Sequence, residues 1–209
     1  MLPEGALLEA RAVNCWRGER HILRDVSFAL RAGEFLKITG PNGVGKTTLI
    51  RIVCGLLPPE NGRIEWRGRS VRGANDEYHA EMAYLGHLNS LKADLTAYEN
   101  LRFLAGLRQA LRPVEIDAAL DRVGILSRRD LQARSLSAGQ KRRLALARLL
   151  LADAALWILD EPVTNLDTAG IALVEELITE HVTRGGLVLA AAHQRLIDDV
   201  PWLRRLELN

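Results

Sequence analysis

The chain has 209 residues, 48% of them apolar and 26% charged, and its 28 Lys and Arg against 26 Asp and Glu leave a net charge of +2. This length and composition suit one globular domain with a sizeable buried core. The balanced charge excludes charge-driven disorder and gives no support to nucleic-acid binding by bulk basicity. No stretch reaches the roughly 18 uninterrupted apolar residues of a membrane span, because Arg148 and Asp153 break the most apolar region. Residues 1–10 lack a basic start followed by an apolar run, so no signal peptide is read and the chain is expected on the cytoplasmic side. Cys15 and Cys54 form no CxxC pair and are expected as buried thiols, and the histidines show no metal-ligand spacing.

In chain order, residues 7–13 and 26–30 read as strands, and 34–39 as a strand entering a glycine-rich turn. An apolar-striped helix follows over 47–54. Asn61-Gly62 and Arg67-Gly68 read as hairpin punctuation around a strand at 63–66. Residues 96–107 have helical spacing, Pro113 suits the first position of a helix reaching 123, and 137–151 reads as the third helix of this middle block. Strand 155–159, a helix from Thr168 to Thr183 and strand 187–192 are the last elements read. Strand–helix alternation predicts an α/β fold with a largely parallel sheet, and the helical block at about 88–150 reads as a lobe inserted between its halves.

Gly40-Pro41-Asn42-Gly43-Val44-Gly45-Lys46-Thr47 fits GxxxxGK[ST], in the required place between a strand and a helix. Glycines let backbone N–H groups turn toward phosphate oxygens, and the following helix, with Thr48 in its first turn, points its positive end at the same anion. Lys46 adds a charge for the β- and γ-phosphates, and the Thr47 hydroxyl can ligate Mg²⁺. The motif by itself does not separate a kinase, a GTPase and an ATPase. The apolar run 156–159 ends in Asp160, Glu161 and Pro162. Ligands bind at that end of a parallel strand, so Asp160 suits Mg²⁺ and Glu161 the attacking water. Ser137 with Gln140 three residues on forms a capping box, and the helix start that it caps also offers Ser137, Gly139 and the helix dipole to an anion.

P-loop, Leu136-Ser137-Ala138-Gly139-Gln140 and apolar-Asp160-Glu161, in that order, resemble an ABC-type ATPase. The resemblance implies a P-loop NTPase fold with a RecA-like core, an antiparallel β lobe and a helical lobe. It divides the single domain 1–209 into core and β lobe at 1–86 and 155–209, and helical lobe at 87–154. It implies ATP and Mg²⁺ as cofactors and a head-to-tail homodimer, in which Ser137, Ala138, Gly139 and Gln140 meet the ATP held by a partner's Lys46. It makes Asp167 part of a loop crossing the dimer interface, His193 a γ-phosphate switch, and Trp16 an adenine platform. Ala138 departs mildly from the usual glycine. His87 stands where the family usually has a glutamine that meets Mg²⁺ and water, and a contact there would make activity depend on pH near neutrality.

Tyr84-Leu85-Gly86-His87, Leu95 to Leu101, the signature, 155–162 and His193-Gln194 together are similar to the ATPase subunits of cytochrome c maturation systems, the haem exporter ATP-binding family. That resemblance implies integral membrane partner subunits, a peripheral place on the cytoplasmic face of the inner membrane, and no nucleic acid. It leaves open whether haem is moved or only released from a chaperone. The competing expectation is the ATPase of another bacterial transporter with different cargo. A soluble nucleic-acid ATPase usually carries two cassettes or a long coiled-coil insertion, and a degenerate scaffold would lack Lys46, Asp160, Glu161 or His193.

Overall fold

The computed structural model describes residues 5–72, 76–106, 110–192 and 196–209. One sheet is antiparallel. Strand β1 (Leu8–Arg17) pairs with β2 (Arg20–Leu30) on one side and with β4 (Asn61–Trp66) on the other, and β4 pairs with the short β5 (Arg69–Ser70). The second sheet is parallel throughout, in the order β6 (Met82–Leu85), β7 (Leu156–Asp160), β8 (Leu187–Ala191), β3 (Phe35–Thr39), β9 (Leu203–Glu207). Every residue of β7 and β8 is buried, as a parallel strand covered on both faces requires.

Helices cover the parallel sheet on both faces. Trp157 and Leu159 of β7 point to one face, into a core shared with α3 (Ala97–Gly106), α4 (Pro113–Arg122), α5 (Ala138–Leu150) and α6 (Thr168–Thr183). Leu156 and Ile158 point to the other, into a core shared with the antiparallel sheet, α1 (Lys46–Val53) and Tyr78 of α2 (Asp76–Glu81). The two-residue period of one strand thus splits the apolar interior into two layers. Cys15 and Cys54 are buried and form no disulfide. Among the described residues no helix is long and apolar enough to cross a membrane.

Two departures from the expected elements have physical causes. The first two strands are longer than the alternation predicts, because β1 is irregular between Ala10 and Val13, and Ala12 and Asp25 have positive φ. Such bulges interrupt the in–out pattern on which sequence reading depends. Asn61-Gly62 is not a hairpin turn. It lies inside β4 opposite the β1 bulge, where any Cβ on Gly62 would collide with the Ala12 and Arg11 carbonyls. Arg67-Gly68 is the turn, with φ of 50° and 76° at its two central residues, as a tight two-residue hairpin demands.

Candidate active site

The parallel sheet gathers the phosphate-binding and acidic segments at one edge. Ile38 of β3 pairs with Ala191 of β8, Ala191 with Asp160 of β7, and Leu85 of β6 with Leu159. The segments that follow β3, β7 and β6 therefore emerge side by side as the P-loop, the Asp160-Glu161 pair and Gly86-His87. This is the carboxyl end of the strands, where open α/β sheets bind ligands.

Gly40, Gly43 and Gly45 all have positive φ, which curls the loop into a cradle of inward N–H groups. At Gly45 the conformation is also sterically enforced, since a Cβ would sit 2.7 Å from Ile22 Cγ2. Gly45 caps α1 without any side-chain acceptor, and no acidic residue lies in the first turn. The first amides of α1 thus keep their capacity for an anion. Lys46 is buried and its Nζ donates to the carbonyls of Gly40 (2.7 Å) and Pro41 (2.9 Å). Burial lowers the Lys46 pKa, while the nearby charges of Glu161 and Asp160 oppose that shift. Pro41, Asn42, Gly43 and Thr47 are exposed, and Val44 and Thr48 are partly covered.

Thr47 Oγ1 donates to Asp160 Oδ1 at 3.3 Å. Asp160 is 2% exposed, and its second oxygen, Oδ2, has no hydrogen-bond partner among the described residues. A buried carboxylate oxygen left so is costly, and a hard cation beside a hydroxyl would satisfy it. The donor set thus fits a Mg²⁺ that takes its remaining ligands from water and phosphate. Glu161 has φ 51°, a left-handed conformation uncommon for a side-chain-bearing residue. Its backbone is tied down, with its N–H donating to Ala191 and its carbonyl accepting from Thr164 N–H and Arg142.

Ser137 caps α5 as the capping box predicts. Its Oγ accepts from Gln140 N–H at 3.2 Å, and Gln140 Oε1 accepts from Ser137 N–H at 2.9 Å. Ser137 and Ala138 are exposed, and a Cβ on Gly139 would lie 3.0 Å from the Asn165 carbonyl, so the signature rests against the 164–167 loop. Asp167 caps α6 through Gly170 N–H (2.8 Å) and also accepts from Arg143. The Gly170 amide, then Arg143, holds its carboxyl below the usual range. His87 is exposed just beyond β6. Trp16 is 47% exposed in β1 and stacks face to face on His21 at 4.2 Å, next to Ile22, the residue that touches Gly45. His193 lies outside the described residues.

Sequence reading missed Arg142, which no motif singles out. It is 1% exposed, and it donates to backbone carbonyls on both sides of the site. Burial pulls its pKa down to about 10, against the opposing charges of Asp160 and Glu161, so it remains a cation at neutral pH. Asn100 lies within the Leu95 to Leu101 segment, where no pattern distinguishes it. It is fully buried and bonds the backbone of Lys92, Leu95 and Thr96, fixing the loop before α3.

The sequence profile of the ABC transporter family matches residues 23–164. The chain belongs to that family. It is an ATP-binding, ATP-hydrolysing cassette. It is 47% identical over 194 residues to the cytochrome c biogenesis ATP-binding export protein CcmA 2 of Cupriavidus metallidurans, covering 91% of each chain. It is 43% identical to CcmA of Aliivibrio fischeri, covering 97% of this chain and all of that one. Among solved structures, an ABC transporter ATP-binding protein of Pyrococcus furiosus superposes with a TM-score of 0.82 at 25% identity, covering 96% of both chains. A dimeric ATP-binding cassette in a post-hydrolysis state with ADP and phosphate shares the fold, at a TM-score of 0.78 and 23% identity over 90% of this chain and 88% of that one.

Proposed function

We propose that this ABC ATPase is the energy-coupling subunit of a membrane complex in cytochrome c biogenesis, driving haem export or the release of haem from a chaperone. The observation that carries the reading is the similarity to CcmA proteins, at 42–47% identity over at least nine-tenths of the chain. The subunit acts as one domain, with a helical lobe over 87–154, on the cytoplasmic face of the membrane, bound to integral membrane subunits. The surface after β6 supports that docking. Leu88 is 78% and Phe103 47% exposed, on a loop and helix that Asn100 ties together.

In this reading the P-loop amides from Asn42 to Thr48 and the Lys46 charge hold the β- and γ-phosphates. Thr47 and Asp160 would hold Mg²⁺, which when bound neutralises the charge on the phosphate oxygens. Glu161 takes a proton from water as the water oxygen attacks the γ-phosphorus and the bond to the β-phosphate oxygen breaks. His193 keeps its switch role on sequence position, His87 orients the water, and Trp16 stacks on adenine with His21 behind it. Two copies pack head to tail. The exposed Ser137 and Ala138, with Gly139 and Gln140, complete the partner's site, and Asp167 faces the seam.

Two measurements test this. Glu161→Gln should bind ATP, stop turning it over and accumulate as an ATP-bound dimer. Native turnover would remove Glu161 as the base. The tagged chain, purified from solubilised membranes, should carry a haem-handling membrane protein with it, and its loss from cells should abolish covalent haem attachment to c-type cytochromes. Co-purification with an unrelated permease would replace the assigned cargo.

A further inference from the structure

Arg142 lies in the second turn of α5, whose first turn carries the signature. A guanidinium has five N–H donors, and here all five are used. Nε donates to Pro162 O at 3.0 Å. Nη1 donates to Gly86 O at 2.9 Å and Asn89 Oδ1 at 3.1 Å. Nη2 donates to Asp160 O at 3.1 Å and Glu161 O at 2.7 Å. These acceptors belong to the carboxylate loop after β7 and to the His87 loop after β6. All are carbonyl oxygens, so these five bonds go to backbone and amide rather than to the side chains of Asp160 and Glu161.

We propose that Arg142 is a positioning residue for hydrolysis, holding Glu161 in its left-handed geometry and fastening the signature helix to the Glu161 and His87 loops as one body. Left-handed backbone at a glutamate persists only where its surroundings over-determine it. Here one side chain fixes three consecutive carbonyls, those of Asp160, Glu161 and Pro162. Apolar packing would fill the same volume at lower desolvation cost, so the buried fork is better explained by geometry than by stability. The arrangement also links two nucleotides. Glu161 and His87 serve the ATP held by their own chain, whereas Ser137 serves the partner's, and Arg142 makes their movements common. The inference rests on the roles proposed above for Glu161 and Ser137.

The test uses the purified full chain with Mg-ATP. Arg142→Lys keeps the charge and loses the fork. It should lower kcat by about tenfold or more, equivalent to about 1.4 kcal/mol in the barrier, with KM within about threefold of native, because the P-loop is untouched. Cooperativity in ATP should fall as well. Asn89→Ala removes one of the five acceptors without opening the core and should lower kcat by about threefold at unchanged KM. Asn89→Asp, which keeps the Oδ1 acceptor, should restore it. A folded Arg142→Lys with native kcat, or with a KM that rises as far as kcat falls, overturns the proposal. Should Arg142→Lys not fold, the Asn89 pair decides, and native kcat in Asn89→Ala or no recovery in Asn89→Asp overturns it. Glu161→Gln, assayed in parallel, reports separately on the base.

Discussion

Ser137 is asked to do two things, and substitution can separate them. Within its own chain it caps α5, its Oγ accepting from Gln140 N–H at 3.2 Å. In the proposed head-to-tail dimer it also offers a hydroxyl to the partner's γ-phosphate. Ser137→Ala removes both. Loss of an N-cap acceptor costs about 1 kcal/mol, and the reciprocal bond from Ser137 N–H to Gln140 survives because its donor is backbone. For a chain of this size that lowers Tm by about 2–4 °C. Loss of one hydrogen bond to a charged phosphate costs about 1.5–3 kcal/mol, so kcat should fall by roughly 10- to 150-fold. Ser137→Asp is the decisive variant. Aspartate caps as well as serine and suits the positive end of the helix, so Tm should stay within about 1 °C of native. Its carboxylate faces a phosphate of like charge, so turnover should be lost while single-subunit ATP binding persists. The assays are thermal melting, steady-state phosphate release and binding of a fluorescent nucleotide. A Ser137→Asp protein that melts like the native one and hydrolyses ATP at the native rate would refute a phosphate contact at Ser137 and leave it only a cap.

Three further outcomes are expected. His87→Gln should retain turnover, because an amide orients water as an imidazole does, whereas His87→Ala should lower kcat by about threefold or more at unchanged KM. Native kcat in His87→Ala excludes His87 from the reacting water. His181 is held below its ordinary pKa by burial, with Nε2 on the Ala155 carbonyl and Trp157 stacked 4.1 Å away. The unfolded chain therefore takes up a proton that the folded chain resists, so this contribution is intact above about pH 6.5 and is lost as pH falls through that value toward the lower folded one. Urea midpoints should drop more steeply on acidification in the native chain than in His181→Phe, and equal slopes would contradict the sign. Gly62→Ala should cost about 2 kcal/mol or more, since its Cβ meets the Ala12 and Arg11 carbonyls. A Tm within about a degree of native would mean that the β1 bulge yields.

The sequence displays its chemistry where one short segment holds every atom that matters. The P-loop cradle, the Ser137–Gln140 box and the buried strand ending in Asp160 are of that kind, and local pattern alone locates them. Long-range geometry is what it hides. Strand β9 reads Leu-Arg-Arg-Leu-Glu, without clean alternation, and becomes a strand by lying along β3 at the sheet edge. The outer part of the β1–β2 hairpin is masked by bulges whose positive φ falls on Ala12, which carries no turn signal, and on Asp25, a single polar residue outside any turn cluster. Arg142 belongs to a run of basic residues on a helix, where a solvated face is the ordinary expectation. Only the packing of α5 against β6 and β7 turns it inward.

The buried charges themselves mark out the site. Among the described residues the buried polar and charged side chains are Lys37, Lys46, Asn100, Arg142 and Asp160. Lys37 is paired with Asp198 at 3.2 Å, and Asn100 serves a loop. The other three surround the carboxyl ends of β3, β6 and β7. Desolvation opposes each of them, so stability alone does not account for the cluster. A dry setting does strengthen each electrostatic contact with a bound triphosphate. Glu161 departs from ordinary backbone geometry at the same place. Breaches of local rules that coincide in space are expected where a fold keeps a site preorganised for charge. The Arg142 fork is the physical link between those breaches, because it bonds the backbone of Asp160 and Glu161 while standing on the helix that begins at Ser137.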